Sequence, residues 1–370
     1  MSTPEPSPAT ASSPPMRNAS WRMKLGAVVV SCLVALVLLE GVVRIYLALR
    51  GCTANCYASS VLMFQHHPRN GFELTPGFHL KSVVLDIAVN AHGLRGSELT
   101  QQPPAGTRRV AVLGGSSAFG YFVSEGDYAS ALLERRLREE GLSVEVLNGA
   151  VPSYNLAQDI VRFEERVRPL SPDVVILYLG WNEWRQISAR EEPLLTRPLD
   201  WSYRWERLAA QSSLYSLLRF RLLSPPAVFV PPGALSFAMT PEGQARFERR
   251  LELLAEQIQK TPARMVVCSQ AMLAHRDAAP EMLRKVAQTA EQQQQVIIFA
   301  EYLQTTLRAF ADRHQAPFVD VYARVPPTDE FLGDPIHLTA AGERRVAELW
   351  HPAVVDRLAA TIESAAPAAD

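Results

Sequence analysis

Three hydropathy regimes follow one another along the chain. Leu25 to Leu39 is an uninterrupted apolar run; Glu40 and Arg44 break it and Ile45 to Leu49 continue it. The uncharged part alone falls short of the roughly 20 residues a spanning helix needs. Glu40 and Arg44 lie four apart on a helix, however, where they can pair near the interface. A transmembrane helix over 25–47 is therefore expected. From Tyr57 to Gln101 the pattern shortens to runs such as Lys81 to Ile87, with a turn at Asn90-Ala91-His92-Gly93. This predicts a partly β segment over 48–105.

From Arg108 the alternation becomes regular. Arg109–Leu113, Val144–Leu147, Asp173–Leu179, Arg264–Cys268 and Ala316–Val321 read as five buried strands. Between and after them, Asp127–Glu140, Leu156–Arg168, Pro280–His314 and Thr339–Ala360 carry helical patterns. Strands apolar on both faces and separated by helices predict a parallel sheet covered on both sides, an α/β domain over 106–366. One stretch, about 184–262, is too long for an ordinary connection. It holds Trp184, Trp201, Tyr203, Trp205, Tyr215 and Phe220, then Pro225-Pro226 and Pro231-Pro232. A helical lid beside a site and a packing insertion using its aromatics as core are the two readings it allows.

Composition changes this picture in few places. With 48% hydrophobic residues the chain can bury a sizeable core. A net charge of −1 gives no basic footprint for a nucleic-acid partner. Residues 1–24 begin with a Ser/Thr/Pro/Ala tail that has little to bury, and is expected to be disordered and cytoplasmic. Arg17, Arg22 and Lys24 precede the apolar run, which orients the remainder outward, and into the periplasm if the source is a Gram-negative bacterium. Cleavage is the competing reading. No small-x-small site follows Leu39; the lipoprotein-like box ending at Cys32 has too short an apolar lead, and that ending at Cys52 carries Arg50. Cys52 and Cys56 would lie just outside the membrane, where a small disulfide or two free thiols are both open. Neither they nor His66-His67, expected at the surface on opposite faces of an extended segment, have metal-ligand spacing. No metal and no cofactor is expected.

In an open α/β sheet, ligands bind beyond the carboxyl ends of the strands. Four polar or small clusters fall at such ends: Gly114-Gly115-Ser116, Asn148-Gly149, Gly180-Trp181-Asn182, and Asp334-Pro335-Ile336-His337. The first is neither G-x-G-x-x-G nor a Walker loop, and Ala118 departs from the nucleophile elbow G-x-S-x-G. Together the four supply a serine, a histidine to take its proton, a carboxylate to hold the imidazole, and donors for an oxyanion.

This ordered set resembles the SGNH/GDSL hydrolase superfamily, whose four blocks contribute Ser, Gly, Asn and His, and the resemblance covers about Arg108 to Ala360. It implies a three-layer α/β/α domain with a five-stranded parallel sheet. It implies Ser116 as nucleophile, His337 as general base and Asp334 as its orienting partner. Ser116 and Gly149, through backbone N–H groups, and Asn182, through its amide, would form the oxyanion hole. Gly115 stands where the first block usually has Asp, a residue outside the triad. The implied activity is hydrolysis of O-acyl esters, such as acetate on envelope carbohydrate or lipid. Transfer of the acyl group to a sugar hydroxyl uses the same triad. A tethered carbohydrate-binding or assembly protein is the non-catalytic alternative, though it would not need all five residues.

Overall fold

A computed structural model describes residues 20–188, 201–223 and 238–365. The apolar run lies in one helix, Trp21–Leu49, longer at both ends than the expected span and long and apolar enough to cross a membrane. Two antiparallel hairpins follow. Strand β1 (Phe64–His67) pairs with β2 (Gly71–Leu74), and β3 (His79–Lys81) with β4 (Asp86–Ala88).

The main sheet comprises β5 (Arg108–Gly114), β6 (Val144–Asn148), β7 (Val174–Leu179), β8 (Arg264–Ser269) and β9 (Phe318–Val319). Their spatial order is β6-β5-β7-β8-β9, every pairing parallel. Successive side chains alternate between two cores, as the pleat requires. Val110, Val112, Ile176 and Cys268 face Leu133, Leu137 and Trp350 of helices Ala129–Glu139 and Ala340–Ala365. Ala111, Leu113, Leu177 and Val267 face Leu156, Phe247, Leu251, Leu303 and Phe310 from helices Leu156–Arg162, Pro241–Gln259 and Ala290–Arg313. These are the three layers expected.

Two local expectations are revised, and one left open is decided. The helical stretch from Pro280 is two helices, Pro280–Val286 and Ala290–Arg313. It breaks where Thr289 and Gln292 form a reciprocal capping box. The adjacent histidines do point apart, but only His66 is exposed. His67 is buried, with Nε2 2.9 Å from Glu165 Oε2 and Nδ1 accepting the N–H groups of Arg69 and Asn70. All four cysteines are free thiols.

The aromatic insertion does not behave as one cap. Its last helix, Pro241–Gln259, covers the sheet through Phe247, Leu251 and Leu254. Its middle, the helices Trp201–Ala209 and Ser213–Ser216 and the turn Leu217–Leu222, packs on the N-terminal segment. There Ala210 and Phe220 share a small core with Ala58, Val61 and Leu62. The proline pairs lie outside the described residues.

Candidate active site

The site occupies the carboxyl rim of the sheet, and each part arrives on a turn that ends a strand. Strand β5 ends at Gly114, whose φ of +148° only glycine adopts easily; a Cβ there would meet the Tyr178 carbonyl oxygen at 2.4 Å. Gly115 and a one-turn helix, Ser116–Phe119, follow. Ser116 is the first residue of that helix, where backbone N–H groups lack intrahelical acceptors. Across the rim, Asp334 and His337 precede the Ala340–Ala365 helix.

His337 Nε2 lies 2.7 Å from Ser116 Oγ, and His337 Nδ1 lies 2.6 Å from Asp334 Oδ2. Asp334 Oδ1 accepts the N–H groups of Ile336 and His337 at 2.9 and 2.8 Å, so the D-x-x-H spacing folds into a turn closed by its own carboxylate. Burial alone would raise the Asp334 pKa. The bonds and charge of His337, with the two N–H groups, overcome that and hold it below the ordinary carboxylate value. The imidazole packs against Tyr121 and Phe122, ring centroids 5.2 and 5.0 Å away. Those two rings sit on a loop pinned by Arg95, a buried side chain that donates to the carbonyls of Phe119, Gly120 and Val123 and to Glu125 Oε1.

Asn182 follows β7 on the turn Trp181–Glu183 and donates one Nδ2 hydrogen to the Tyr154 carbonyl at 2.8 Å. A Cβ on Gly115 would stand 2.6 Å from Asn182 Nδ2. The missing side chain at Gly115 therefore leaves the room into which the Asn182 amide packs. The structure brings Ser116, Asn182, Asp334 and His337 together around one cleft of about 320 Å³, also lined by Tyr121, Phe122, Trp181 and Trp184.

Gly149 is the exception. Its N–H donates to Val112 O at 2.9 Å and Leu147 O at 3.1 Å, prolonging the ladder instead of facing the cleft. Its missing side chain serves packing, since a Cβ would meet Val112 O and Val167 Cγ2, both at 2.9 Å. This loop presents Pro152 and Ser153 to the cleft, and Ser153 is in the left-handed region at φ 72°. Its N–H has no acceptor among the described residues. Left-handed backbone normally signals glycine, so a search for glycine passes over this serine.

Gln270 also gave no sequence signal. It follows β8 and is buried; its Nε2 donates to Ser117 Oγ at 2.6 Å and its Oε1 accepts the Trp181 N–H at 2.8 Å. Ser117 Oγ in turn donates to Ile336 O at 2.6 Å. One amide thus ties together the loops that carry Ser116, Asn182 and His337.

A parallel-sheet α/β fold with these groups on its carboxyl rim defines a serine hydrolase that acts on esters. The model of the GDSL-like Lipase/Acylhydrolase family matches residues 112–345, more than half of the chain, and the chain belongs to that family, with an SGNH-type fold. Among curated proteins, none matches the sequence. Similar solved structures include the acetyl xylan esterase AlAXEase, at 16% identity and a TM-score of 0.42 over 66% of this chain and 99% of that one. TesA aligns at 16% identity and a TM-score of 0.43, over 68% and 99%. The lipase/acylhydrolase from Enterococcus faecalis aligns at 17% and 0.42, over 68% and 96%.

Proposed function

We propose that the chain is a membrane-anchored esterase that removes O-acyl groups, acetyl among them, from envelope carbohydrate or lipid, with Ser116, His337 and Asp334 as its triad. The observation that carries this reading is the unbroken sequence of contacts from Ser116 Oγ to His337 Nε2 and from His337 Nδ1 to Asp334 Oδ2, at 2.7 and 2.6 Å.

Ser116 Oγ attacks the ester carbonyl carbon while His337 Nε2 takes the hydroxyl proton. The carbonyl π pair moves to oxygen. The resulting oxyanion meets the Ser116 and Ser153 N–H groups and the second Nδ2 hydrogen of Asn182, in place of the donor expected from Gly149. The imidazolium formed lies against the Asp334 carboxylate, which stays ionised because its pKa is depressed. Nε2 then returns the proton to the departing alkoxide as the C–O bond breaks. Water, deprotonated by Nε2, attacks the acyl-serine; the carbon–oxygen bond to Ser116 Oγ then breaks, Nε2 returns its proton to that oxygen, and the acid leaves.

Transfer to a sugar hydroxyl would follow the same steps with the acceptor in place of water. The aromatic walls at Tyr121, Phe122, Trp181 and Trp184 favour keeping that reading, because such walls both stack on sugar rings and exclude water.

Retention of the N-terminal helix is supported by its docking. Val43 and Leu47 are buried against the body of the protein, and Glu40 and Arg44 bond to residues 211–214. A cleaved leader would have no place in such contacts. With the basic residues preceding the run, the hydrolase domain would lie outside the cytoplasmic membrane.

A panel of aryl esters of increasing acyl length, assayed with the wild type and Ser116→Ala, tests the function. Short-chain turnover that vanishes in the variant is expected; equal turnover would refute the assignment. Acyl release from an O-acetylated glycan, with and without added acceptor, separates hydrolysis from transfer.

A further inference from the structure

The N-terminal helix carries its own ruler. At about 1.5 Å per residue the stretch from Lys24 to Arg44 rises about 30 Å, close to the roughly 30 Å of a bilayer's hydrocarbon core. If Lys24, the last cation before the apolar run, marks the inner boundary, the outer boundary falls at Arg44, one turn beyond Glu40. That carboxylate is where the insertion is fastened. Glu40 Oε1 accepts the Ser213 N–H at 2.9 Å, and its Oε2 accepts the Leu214 N–H at 2.8 Å and the Ser212 hydroxyl at 2.7 Å. Arg44 donates to the Gln211 carbonyl at 3.2 Å. Residues 211–214 are thereby held beside the helix at the depth where hydrocarbon gives way to headgroups, and the rest of 201–223 is contiguous with them.

The faces of this segment are sorted accordingly. Tyr203 and Arg207 turn inward, donating to the Phe64 and Val61 carbonyls at 3.2 Å, and Ala210 is buried. The opposite face should be polar if it met only water. It instead presents Trp205 and Leu208, 58% and 62% exposed, and the following turn presents Leu218, Leu222 and Leu223. Arg204 and Arg221, also exposed, lie among them. Exposed aromatic and aliphatic groups among cations, continuous with a spanning helix, are the composition of an interfacial element.

We infer that residues 201–223 form a second membrane contact, an amphipathic shoulder whose Trp205, Leu208, Leu218, Leu222 and Leu223 enter the outer headgroup region of the bilayer that Trp21–Leu49 spans. The inference rests on the proposed retention of that helix. It gives the hydrolase domain a fixed orientation over the membrane, since a helix and a lateral contact together remove the freedom a single tether leaves.

The test uses the full-length chain in phosphatidylethanolamine/phosphatidylglycerol nanodiscs, with Cys32→Ala, Cys52→Ser and Cys56→Ser leaving only the fully buried Cys268 thiol. Spin labels are placed by Trp205→Cys or Leu222→Cys. Val37→Cys serves as the reference within the span and Ile298→Cys as an exposed apolar reference on another helix. Each labelled chain is accepted as folded by its aryl-acetate turnover; if one position fails, Leu218→Cys or Leu223→Cys replaces it. The ratio of collisions with oxygen to collisions with a nickel chelate is then read. Values at 205 and 222 several-fold above that at 298, approaching that at 37, are expected. A water-like ratio at 205 and 222 with a lipid-like ratio at 37 overturns the shoulder and leaves the span intact. A water-like ratio at 37 overturns both. Labels at 205 and 222 shielded from both reagents would mean that protein, a second copy or a partner, covers the face, and would overturn the lipid assignment.

Discussion

Two carboxylates in this molecule do the same electrostatic work over very different distances. Asp334 gathers the N–H groups of Ile336 and His337 and then holds the His337 ring. Glu40 gathers the N–H groups of Ser213 and Leu214, the Ser212 hydroxyl and the Arg44 guanidinium. The first cluster closes within four residues, so the turn builds its own geometry and needs the rest of the fold only to bring Ser116 to it. The second joins residues more than 170 positions apart, so it forms only where the rest of the fold brings the helix and the insertion together. The chemistry of the rim should therefore survive damage to the shoulder, and the shoulder should survive removal of the chemistry.

The largest expected effect tests the rim. Ser116→Ala and His337→Ala should each lower kcat/KM for aryl acetates by about 10⁴-fold or more, with melting temperatures near that of the wild type. Residual turnover close to wild type would place the nucleophile elsewhere. Next comes the oxyanion site. Asn182→Ala removes a donor aimed at developing charge and should cost about 10²–10³-fold in kcat with KM changing less. Gly149→Ala separates the two candidates of the second loop. It should lower the melting temperature, because its Cβ meets Val112 O and Val167 Cγ2, while kcat per folded molecule is retained. A large kcat loss at full stability would return Gly149 to the site.

Glu40→Ala tests the shoulder. Losing bonds to a charged acceptor should destabilise the docked segment by about 1.5–3 kcal/mol, seen as faster proteolysis within residues 201–223. Turnover of a soluble aryl ester should stay within about twofold of wild type, since no reacting group is touched. An equal loss of esterase activity would show that the two regions are not separable.

The smallest effect is a pH dependence of stability. Burial pushes Asp159 up to about 7 and Glu183 and Glu343 up to about 8. The native state therefore holds more protons than the unfolded chain from the ordinary carboxyl range up to those values. Their contribution is fully present below that range and is lost as pH rises through 7 to 8. The melting temperature should fall by a few degrees between pH 6 and pH 9. Glu343→Gln, which keeps an acceptor for the Ala129 N–H, should flatten that slope. An unchanged slope would remove Glu343 as a source.

How far the sequence speaks for itself follows the same divide. The sheet was legible because each parallel strand is buried on both faces and so appears as an apolar run. The D-x-x-H turn was legible because all its partners are local. Gly149 drew attention because glycine is the usual sign of a special backbone, whereas here it spares a clash and Ser153 takes the left-handed turn. Gln270 was silent because its three ties run to loops 66 to 153 residues away. His67 looked like a surface residue until Glu165, 98 residues on, supplied its buried partner. The insertion was visible as length and aromatics, but its middle rests on Glu40 and on Ala58, Val61 and Leu62, distant partners that no local pattern encodes.

The central claim is that Ser116 is the nucleophile poised by His337. Treating the full-length protein with an alkyl phosphonate ester and mapping the adduct by mass spectrometry tests it most directly. The account predicts one stoichiometric adduct on the peptide containing Ser116, located on Ser116 itself, formed in step with loss of turnover and absent from His337→Ala. An adduct on Ser117 or Ser153, or full inactivation without modification of Ser116, would contradict it.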